Sequence, residues 1–246
     1  MDLLLGLDAA TPAQLDDDAV RDGYPWPEGR TWVRAMMVTT LDGGAADADG
    51  LSAGISSPAD KAVFFATRRL TDVVLIGSGT LRAERYKPMH GRPEDADRRE
   101  ADGRAPAPRL AVVSGSLDLP WELEVWRAST LPPLILTTAD ADPGRLTTAR
   151  AHAEVAALPE LTPHAIIGAL AERGLHRIVC EGGPTLLRDL VAADLVDEAD
   201  ITFSPTFAGT AQGPSTATLP DVARFRLAHV LHGEDFLMAR YLAPGR

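Results

Sequence analysis

Blocks of apolar residues alternate with amphipathic blocks along this chain of 246 residues. Short runs of β-branched and apolar residues predict buried strands, and segments with apolar positions at helical spacing predict helices between them. The first strand is expected at residues 32–40, WVRAMMVTT. Further strands are expected in the runs DVVLIG, RLAVVS, PLILTT, RIVC and ADITF.

Two of the predicted helices begin with residues that cap helices. Ser57 is a candidate N-cap, followed by Pro58 at the first helical position and by Asp60 three residues after the cap. Thr162 and Pro163 repeat the combination of a capping hydroxyl and a proline. Helices are therefore predicted to begin at both positions.

Strands that alternate with helices predict an α/β fold, with a mostly parallel central sheet and helices on both faces. After ADITFSPTFAG the pattern changes to strands, and a C-terminal antiparallel hairpin is expected around HGED at the edge of the sheet. Residues 1–31 are predicted to form a loosely packed lead-in segment, and residues 32–246 a single domain. Residues 85–108 are polar and proline-rich, so a long surface loop is expected there.

The charge balance argues against two classes of partner. A formal net charge of −11 and a sequence pI near 4.9 disfavour nucleic acid and anionic membranes, because both require a concentrated basic surface. A small anionic ligand needs only local positive potential. The one cysteine, Cys180, lies in an apolar strand and is expected in the core, which favours a reducing compartment. The first residues resemble neither a secretory signal nor a membrane span, so a cytoplasmic location is expected.

Two predicted junctions between a strand and a helix carry paired glycines. They are LIGSGTL at residues 75–81 and CEGGPTL at residues 180–186. In a doubly wound sheet such turns open at the same carboxyl-end edge, where backbone N–H groups and the helix dipole can bind a phosphate. The alternative is a pair of tight turns that need small residues, with Thr80 and Thr185 as helix caps.

Asp42 follows the first predicted strand in the segment TTLDGGAA. An Asp-Gly pair is common in turns, which is one interpretation of this segment. The other interpretation places the carboxylate at the lip of a pocket, where it accepts a hydrogen bond from an amide or amine of a heterocyclic ligand.

The ordered set TTLDG, ISSPAD, LIGSGTLRAE, VVS and EGGPTLLRDLVAADLVDE resembles the reductase domain of bacterial riboflavin biosynthesis proteins, whose fold is like that of dihydrofolate reductase. The resemblance covers residues 32–242. It implies an NADPH-dependent reduction of a pyrimidine- or pteridine-type heterocycle, similar to 5-amino-6-(5-phosphoribosylamino)uracil reductase. The sequence lacks the H-x-E motif paired with P-C-x-x-C of the zinc deaminase domain that often precedes this reductase, so a free-standing reductase is implied.

The resemblance also implies site residues. On the substrate side the matching positions are Ser52, Arg68 and Glu181, with Asp42 nearby. Glu181 or an ordered water is expected to supply a proton, and Asp42 to orient the ring. No metal is expected. The NADPH-binding positions that the resemblance implies are Val38, Ser56, Asp60, Gly77, Ser78, Gly79, Thr80, Ser114, Gly182, Gly183, Pro184, Thr185 and Leu186.

The sequence departs from the family pattern at several positions. Gly54 stands where the family usually has tryptophan, and AERY at residues 83–86 replaces ADDP. The arginine that follows this segment in the family has no clear counterpart in KPMHGR. The alternatives are therefore a dihydrofolate reductase-like activity and non-catalytic NADPH binding. A homodimer is expected, because FLMARYL should form an edge strand that needs cover.

Overall fold

The computed structural model describes residues 2–5, 13–14, 16–209 and 219–246. The chain divides into two compact units: the first comprises residues 1–28, 32–67 and 187–246, and the second comprises residues 29–31 and 68–186. In the described part of the chain, no helix is long and apolar enough to cross a membrane.

The elements follow the chain in this order. The strands are β1 (Asp2–Leu5), β2 (Ala13–Gln14), β3 (Trp32–Thr39), β4 (Val73–Gly77), β5 (Arg109–Val113), β6 (Leu134–Thr138), β7 (Glu154–Leu158), β8 (Arg177–Cys180), β9 (Glu198–Phe203), β10 (Arg226–Gly233) and β11 (Phe236–Leu242). The helices are α1 (Asp17–Asp22), α2 (Pro58–Arg68), α3 (Ser78–Glu84), α4 (Ala96–Ala101), α5 (Val125–Ala128), α6 (Pro143–His152), α7 (Pro163–Ala171) and α8 (Pro184–Ala192), with short 3₁₀ helices at Ser52–Ile55 and Pro93–Asp95.

The strands of the second unit follow the order β8-β4-β5-β6-β7, and each adjacent pair is parallel. The central positions of β4, β5 and β6 are buried without interruption, which explains why their sequences are continuous apolar runs. Strand β7 was not predicted. Its sequence, EVAAL, carries an exposed glutamate and two alanines, so it has neither a long apolar run nor a β-branched majority.

The strands of the first unit follow the order β2-β1-β10-β11-β9-β3. Strands β3 and β9 are parallel, and the other pairs are antiparallel. The predicted hairpin around HGED is confirmed: it joins β10 to β11 through Glu234 and Asp235, whose φ angles are 54° and 67°. The prediction that this hairpin forms an edge is wrong, because β11 pairs with β9 as well as β10, and β10 also pairs with β1.

The two units together confirm the predicted α/β class, with parallel strands in the second unit and C-terminal antiparallel strands in the first. Both predicted helix caps are also present. The Ser57 hydroxyl accepts the N–H of Asp60 at 3.2 Å, and the Thr162 hydroxyl accepts the N–H of Ala165 at 3.2 Å. Each cap supplies an acceptor for one of the N–H groups that a helix start leaves without an intrahelical partner.

The expected surface loop at residues 85–108 is instead partly packed. It contains α4, and Arg99 of that helix is 1% exposed. The Arg99 guanidinium is buried because it donates to backbone carbonyls at three positions, Arg69, Thr71 and Ala105. Counting polar residues therefore gave the wrong prediction, since a charged side chain can be buried when backbone oxygens replace water.

A cluster of buried charges crosses the strands of the first unit. Arg34 on β3 and Glu198 on β9 have completely buried side chains, and Arg34 Nε lies 3.0 Å from Glu198 Oε1. Arg240 on β11 reaches the same carboxylate at 2.6 Å, and Asp200 lies 3.3 Å from Arg34 Nε. The charged face of β9 is thus its buried face, which reverses the usual alternation of a strand.

This buried cluster also binds part of the segment predicted to be a loose lead-in. Arg34 Nη2 donates to the carbonyl oxygens of Tyr24 and Pro25, and Arg240 Nη1 donates to that of Gly23. Tyr24 itself is 3% exposed. Backbone carbonyls near residue 24 are therefore part of the hydrogen-bonding shell of the two arginines, while the division into a lead-in and a single domain stays a prediction.

The pKa values of the two carboxyl groups in the cluster are shifted in opposite directions. Burial opposes ionisation of Glu198, but Arg34 and Arg240 outweigh it and hold the pKa of Glu198 below its usual value. For Asp200, burial and then the charge of Glu198 raise the pKa well above its usual value. The folded protein therefore keeps a proton on Asp200 at a pH where the unfolded chain has lost it.

We predict that Asp200→Asn is more stable than the wild type near neutral pH. Above the unfolded pKa of 3.8 the folded state binds the extra proton, so wild-type stability falls as pH rises through that window. Asparagine is neutral in the folded and the unfolded state, so the stability of the variant does not fall in this way as pH rises. Urea unfolding at about pH 4 and pH 7 measures the effect, and the advantage of the variant should shrink towards the lower pH.

The matched control is Glu198→Gln, which removes the ionised partner of two buried arginines. It should lose about 3–5 kcal/mol of unfolding free energy. If Asp200→Asn were instead destabilised near neutral pH, Asp200 would be ionised in the folded protein and the assignment of charges would be wrong.

Candidate active site

The second glycine turn follows β8 directly. Glu181, Gly182 and Gly183 connect β8 to α8, and the peptide bond between the two glycines is cis. Gly182 has a φ of 90°, in the left-handed region that residues with a side chain rarely adopt. The first position of α8 is Pro184, whose fixed φ suits a helix start.

The first glycine turn lies against the second, because β4 and β8 are neighbouring parallel strands. Gly77 ends β4, and its N–H donates to the carbonyl oxygen of Gly182 at 2.9 Å. A Cβ atom at Gly183 would lie 3.0 Å from Thr80 Oγ1, so the two turns are in close contact. The structure thus brings together the paired glycines of both motifs.

The first turn also has room for a bound group. Gly77 is the N-cap of α3, and no side chain within the described residues caps this helix start. A Cβ atom at Gly79, the second residue of α3, would meet no heavy atom within 4 Å. Backbone N–H groups beside open space are the features that phosphate groups bind at glycine-rich turns, so these residues fit the diphosphate of a dinucleotide.

The other residues of the predicted cofactor set differ in their solvent exposure. Ser114, after β5, is 2% exposed; its N–H donates to Leu136 and its hydroxyl accepts from Leu117. Leu186 is 9% exposed and belongs to the core. Ser78 and Thr80 are half-buried, whereas Pro184 and Thr185 at the start of α8 are exposed.

Glu181 is enclosed by hydrogen-bond donors within the second unit. Arg68 donates to both carboxylate oxygens, through Nε to Oε1 and through Nη2 to Oε2. The Tyr86 hydroxyl donates to Oε2 at 2.8 Å. The side chain of Glu181 is 3% exposed, compared with 18% for Arg68. The structure therefore unites two predicted substrate-side residues and adds a third, Tyr86, that the sequence reasoning missed.

The electrostatics fix the protonation states of the two side chains that donate to Glu181. Burial and then the neighbouring Glu181 charge raise the pKa of Tyr86 well above its usual value, so the phenol stays protonated and donates. Burial lowers the pKa of Arg68, but the charge and hydrogen bonds of Glu181, together with Tyr86, raise it above its usual value, so the guanidinium stays charged. Nearby Cys180 is fully buried, and burial raises its pKa to about 12, as expected for a core thiol.

The remaining predicted residues belong to the first unit. Val38 is half-buried near the end of β3, and Ser52 begins a 3₁₀ helix. Ser56 donates its hydroxyl to Asp60 Oδ2 at 2.6 Å, and Asp60 is 8% exposed. The pair at the start of α2 is therefore held together by a direct hydrogen bond.

Asp42 is exposed, and its carboxylate is engaged by the protein. It accepts the Thr40 hydroxyl at 2.5 Å and the N–H groups of Ala208 and Gly209 at 3.2 and 2.8 Å. The Thr40 hydroxyl bond, followed by the Gly209 and Ala208 bonds, lowers the pKa of Asp42. Gly43 closes a turn onto the Thr40 carbonyl with a φ of 81°. Asp42 thus takes part in a turn and anchors residues 208–209, and its predicted action on substrate stays a prediction.

The chain matches a known protein family over most of its length. The sequence profile of the RibD C-terminal domain matches residues 31–237. The chain is 27% identical over 188 residues to the 2,5-diamino-6-ribosylamino-4(3H)-pyrimidinone 5′-phosphate reductase of Archaeoglobus fulgidus. The aligned region covers 76% of this chain and 85% of that relative.

Two further similarities define how far the likeness extends. The chain is 30% identical over 188 residues to the riboflavin biosynthesis protein RibD of Mycobacterium tuberculosis, covering 76% of this chain but 44% of that protein. A solved structure of a pyrimidine reductase-like protein from Corynebacterium diphtheriae has a TM-score of 0.79 at 24% identity, covering 88% of this chain and 93% of that chain. The structural likeness establishes a shared fold.

We predict that Asp42→Ala loosens the backbone at Ala208 and Gly209. The variant removes the acceptor of both N–H groups, so their hydrogen exchange should become faster while the exchange of β4 amides is unchanged. Nuclear magnetic resonance or mass spectrometry of peptides from this segment measures the rates. Asp140→Ala, at another exposed aspartate, is the control, and equal protection in both variants would show that Asp42 does not anchor this loop.

Proposed function

Because the chain belongs to the RibD C-terminal domain family, we propose that it is an NADPH-dependent reductase of a ribosylamino-pyrimidine 5′-phosphate. The observation that carries the proposal is the contact between the two glycine turns, in which the Gly77 N–H donates to the Gly182 carbonyl beside the uncapped start of α3. The relative from Archaeoglobus fulgidus, most of which this chain covers, is named as such a reductase.

On the cofactor side, we assign the diphosphate of NADPH to the backbone N–H groups at the start of α3 and to the turn at residues 182–185. Glycine at position 79 keeps the approach to these groups open, since no atom lies within 4 Å of its Cβ position. Ion pairing with Arg68 neutralises Glu181, so this carboxylate does not repel the phosphates beside it. Val38, Ser56, Asp60 and Ser114 complete the proposed cofactor set.

A bound NADPH supplies the hydride that adds to the carbon of a C=N or C=O bond of the substrate. The chain contributes positioning and electrostatics. Asp42 is ionised at neutral pH, so it accepts a hydrogen bond from a ring N–H or amino group instead of donating a proton. The Glu181 carboxylate holds three hydrogen bonds and is nearly sealed from water. We therefore assign the accompanying proton to solvent, with Ser52 and Arg68 as further substrate contacts.

We also propose that the enzyme is a cytoplasmic homodimer that binds neither nucleic acid nor membranes, in keeping with its net charge of −11. Strand β11 is internal, so support for the dimer comes from a different feature of the first unit. Phe203 on β9 and Leu237 on β11 are paired directly and are 38% and 41% exposed. Apolar side chains grouped on one sheet face favour burial against a second copy. A monomeric mass in light scattering at micromolar concentration would contradict this assembly.

The direct test is a turnover assay that follows NADPH oxidation. The substrates are 2,5-diamino-6-ribosylamino-4(3H)-pyrimidinone 5′-phosphate, its 5-amino-6-(5-phosphoribosylamino)uracil counterpart and dihydrofolate. Turnover of either pyrimidine, with weaker activity when NADH replaces NADPH, is the expected result. Turnover of dihydrofolate alone would establish the alternative activity, and NADPH binding without reduction of any substrate would establish a non-catalytic protein.

We predict that Gly79→Val weakens NADPH binding at least tenfold without changing the melting temperature. The valine side chain would enter the open space beside the first turn, where its Cβ atom meets no protein atom within 4 Å. Fluorescence titration with NADPH gives the dissociation constant. The matched control is Gly168→Val in α7, where a Cβ atom likewise meets nothing within 4 Å, and NADPH affinity there should equal that of the wild type.

If Gly79→Val bound NADPH with wild-type affinity, the diphosphate would not bind at this turn. Gly183→Val is a poorer test, because its Cβ atom would lie 3.0 Å from Thr80 Oγ1 and the substitution would disturb the turn itself.

A further inference from the structure

Tyr86 is held in one orientation by contacts on several sides. It follows α3 after Arg85, which ends that helix in the left-handed conformation with a φ of 46°. Its ring packs against the apolar cluster that includes Ile76 and Leu81, and its hydroxyl donates to Glu181 Oε2 at 2.8 Å. The Arg68 guanidinium carbon lies 5.6 Å from the ring centroid. A side chain fixed in this way is preorganised to contact a ligand.

The three side chains of the trio, Arg68, Tyr86 and Glu181, differ in their exposure to solvent. The Glu181 side chain is 3% exposed, the Arg68 side chain is 18% exposed, and Tyr86 is half-buried. A molecule that approaches this end of β8 therefore meets the aromatic ring and the guanidinium before it meets the carboxylate. Glu181 acts on such a molecule only through the two groups that it holds.

The charge of the trio indicates which part of a substrate it suits. The positive charge of Arg68 is balanced by the negative charge of Glu181, and the protonated phenol of Tyr86 is neutral. A phosphate is bound most strongly by an unmatched positive charge, and the trio carries no net charge. A planar heterocycle needs a flat, polarizable surface with hydrogen-bonding groups at its rim, which the Tyr86 ring provides.

We propose that Tyr86 contacts the heterocyclic ring of the substrate and is a specificity-determining residue of the reductase. The inference rests on the proposed function and extends it to a residue outside the set that the sequence predicted. The position is consistent with hydride transfer, because the residue that accepts the Tyr86 hydroxyl, Glu181, directly precedes the Gly182 turn assigned to the cofactor. The phosphate of the substrate is bound elsewhere.

Two variants separate the ring of Tyr86 from its hydroxyl. Tyr86→Leu removes the aromatic surface, and Tyr86→Phe keeps it while removing the hydrogen bond to Glu181. We expect Tyr86→Leu to raise KM for the pyrimidine at least tenfold, and Tyr86→Phe to raise it less than threefold. The dissociation constant of NADPH, measured by fluorescence, should stay within twofold of the wild type in both.

Tyr241→Leu is the matched control, since Tyr241 is another half-buried tyrosine and lies on β11 of the first unit. It should leave KM unchanged. The assignment is overturned if Tyr86→Leu leaves KM at the wild-type value. It is equally overturned if Tyr86→Phe and Tyr86→Leu raise KM by the same factor, because the effect would then come from the hydroxyl that both variants lack and not from the ring. It is also overturned if Tyr86→Leu weakens NADPH binding as much as it raises KM.

The experiment distinguishes this assignment from the proposed function. A wild-type enzyme that neither binds the pyrimidine in isothermal titration calorimetry nor reduces it would overturn the proposed function, and the assignment of Tyr86 with it. A wild-type enzyme that reduces the pyrimidine, together with a Tyr86→Leu variant of unchanged KM, would overturn the assignment of Tyr86 alone.

Discussion

The carboxylate of Glu181 must be neutralised where β8 ends, and the arrangement of the candidate site follows from this requirement. An ionised carboxylate that is 3% exposed and has no partner would cost several kcal/mol. Arg68 supplies the opposite charge, and Tyr86 supplies a neutral donor. The next residue, Gly182, accepts the N–H of Gly77 at 2.9 Å. Two consecutive residues of the β8 end therefore fix the start of α3 through Gly77 and the segment after α3 through Tyr86.

Features that depend on neighbouring residues could be predicted from the sequence. The caps at Ser57 and Thr162 bind N–H groups three residues away, and the glycine turns are needed where a strand passes directly into a helix. The parallel strands β4 and β8 carry apolar runs because both faces are covered. Once these strands are neighbours, their glycine turns must meet at one edge, so the general rule for α/β sheets was enough to place the candidate cofactor turns together.

Features that depend on distant partners could not be predicted. Tyr86 and Glu181 are 95 residues apart, and Arg34 and Glu198 are 164 apart. In β9, Glu198 and Asp200 lie on the buried face, because Arg34 and Arg240 supply partners for the carboxylate of Glu198 there. Arg99 is buried for the same reason, because backbone carbonyls accept its N–H groups. A pattern of polar residues indicates that hydrogen-bond partners are needed, but it does not show whether water or the protein supplies them.

The reaction that we propose is hydride transfer from NADPH to a ribosylamino-pyrimidine 5′-phosphate. Its most direct measurement uses NADPH stereospecifically deuterated at C4 of the nicotinamide, with mass spectrometry of the pyrimidine product. The product should gain one deuterium from one of the two C4-labelled forms and none from the other. A reduced product free of deuterium from both forms, or a pyrimidine that stays unreduced while NADPH is bound, would contradict it.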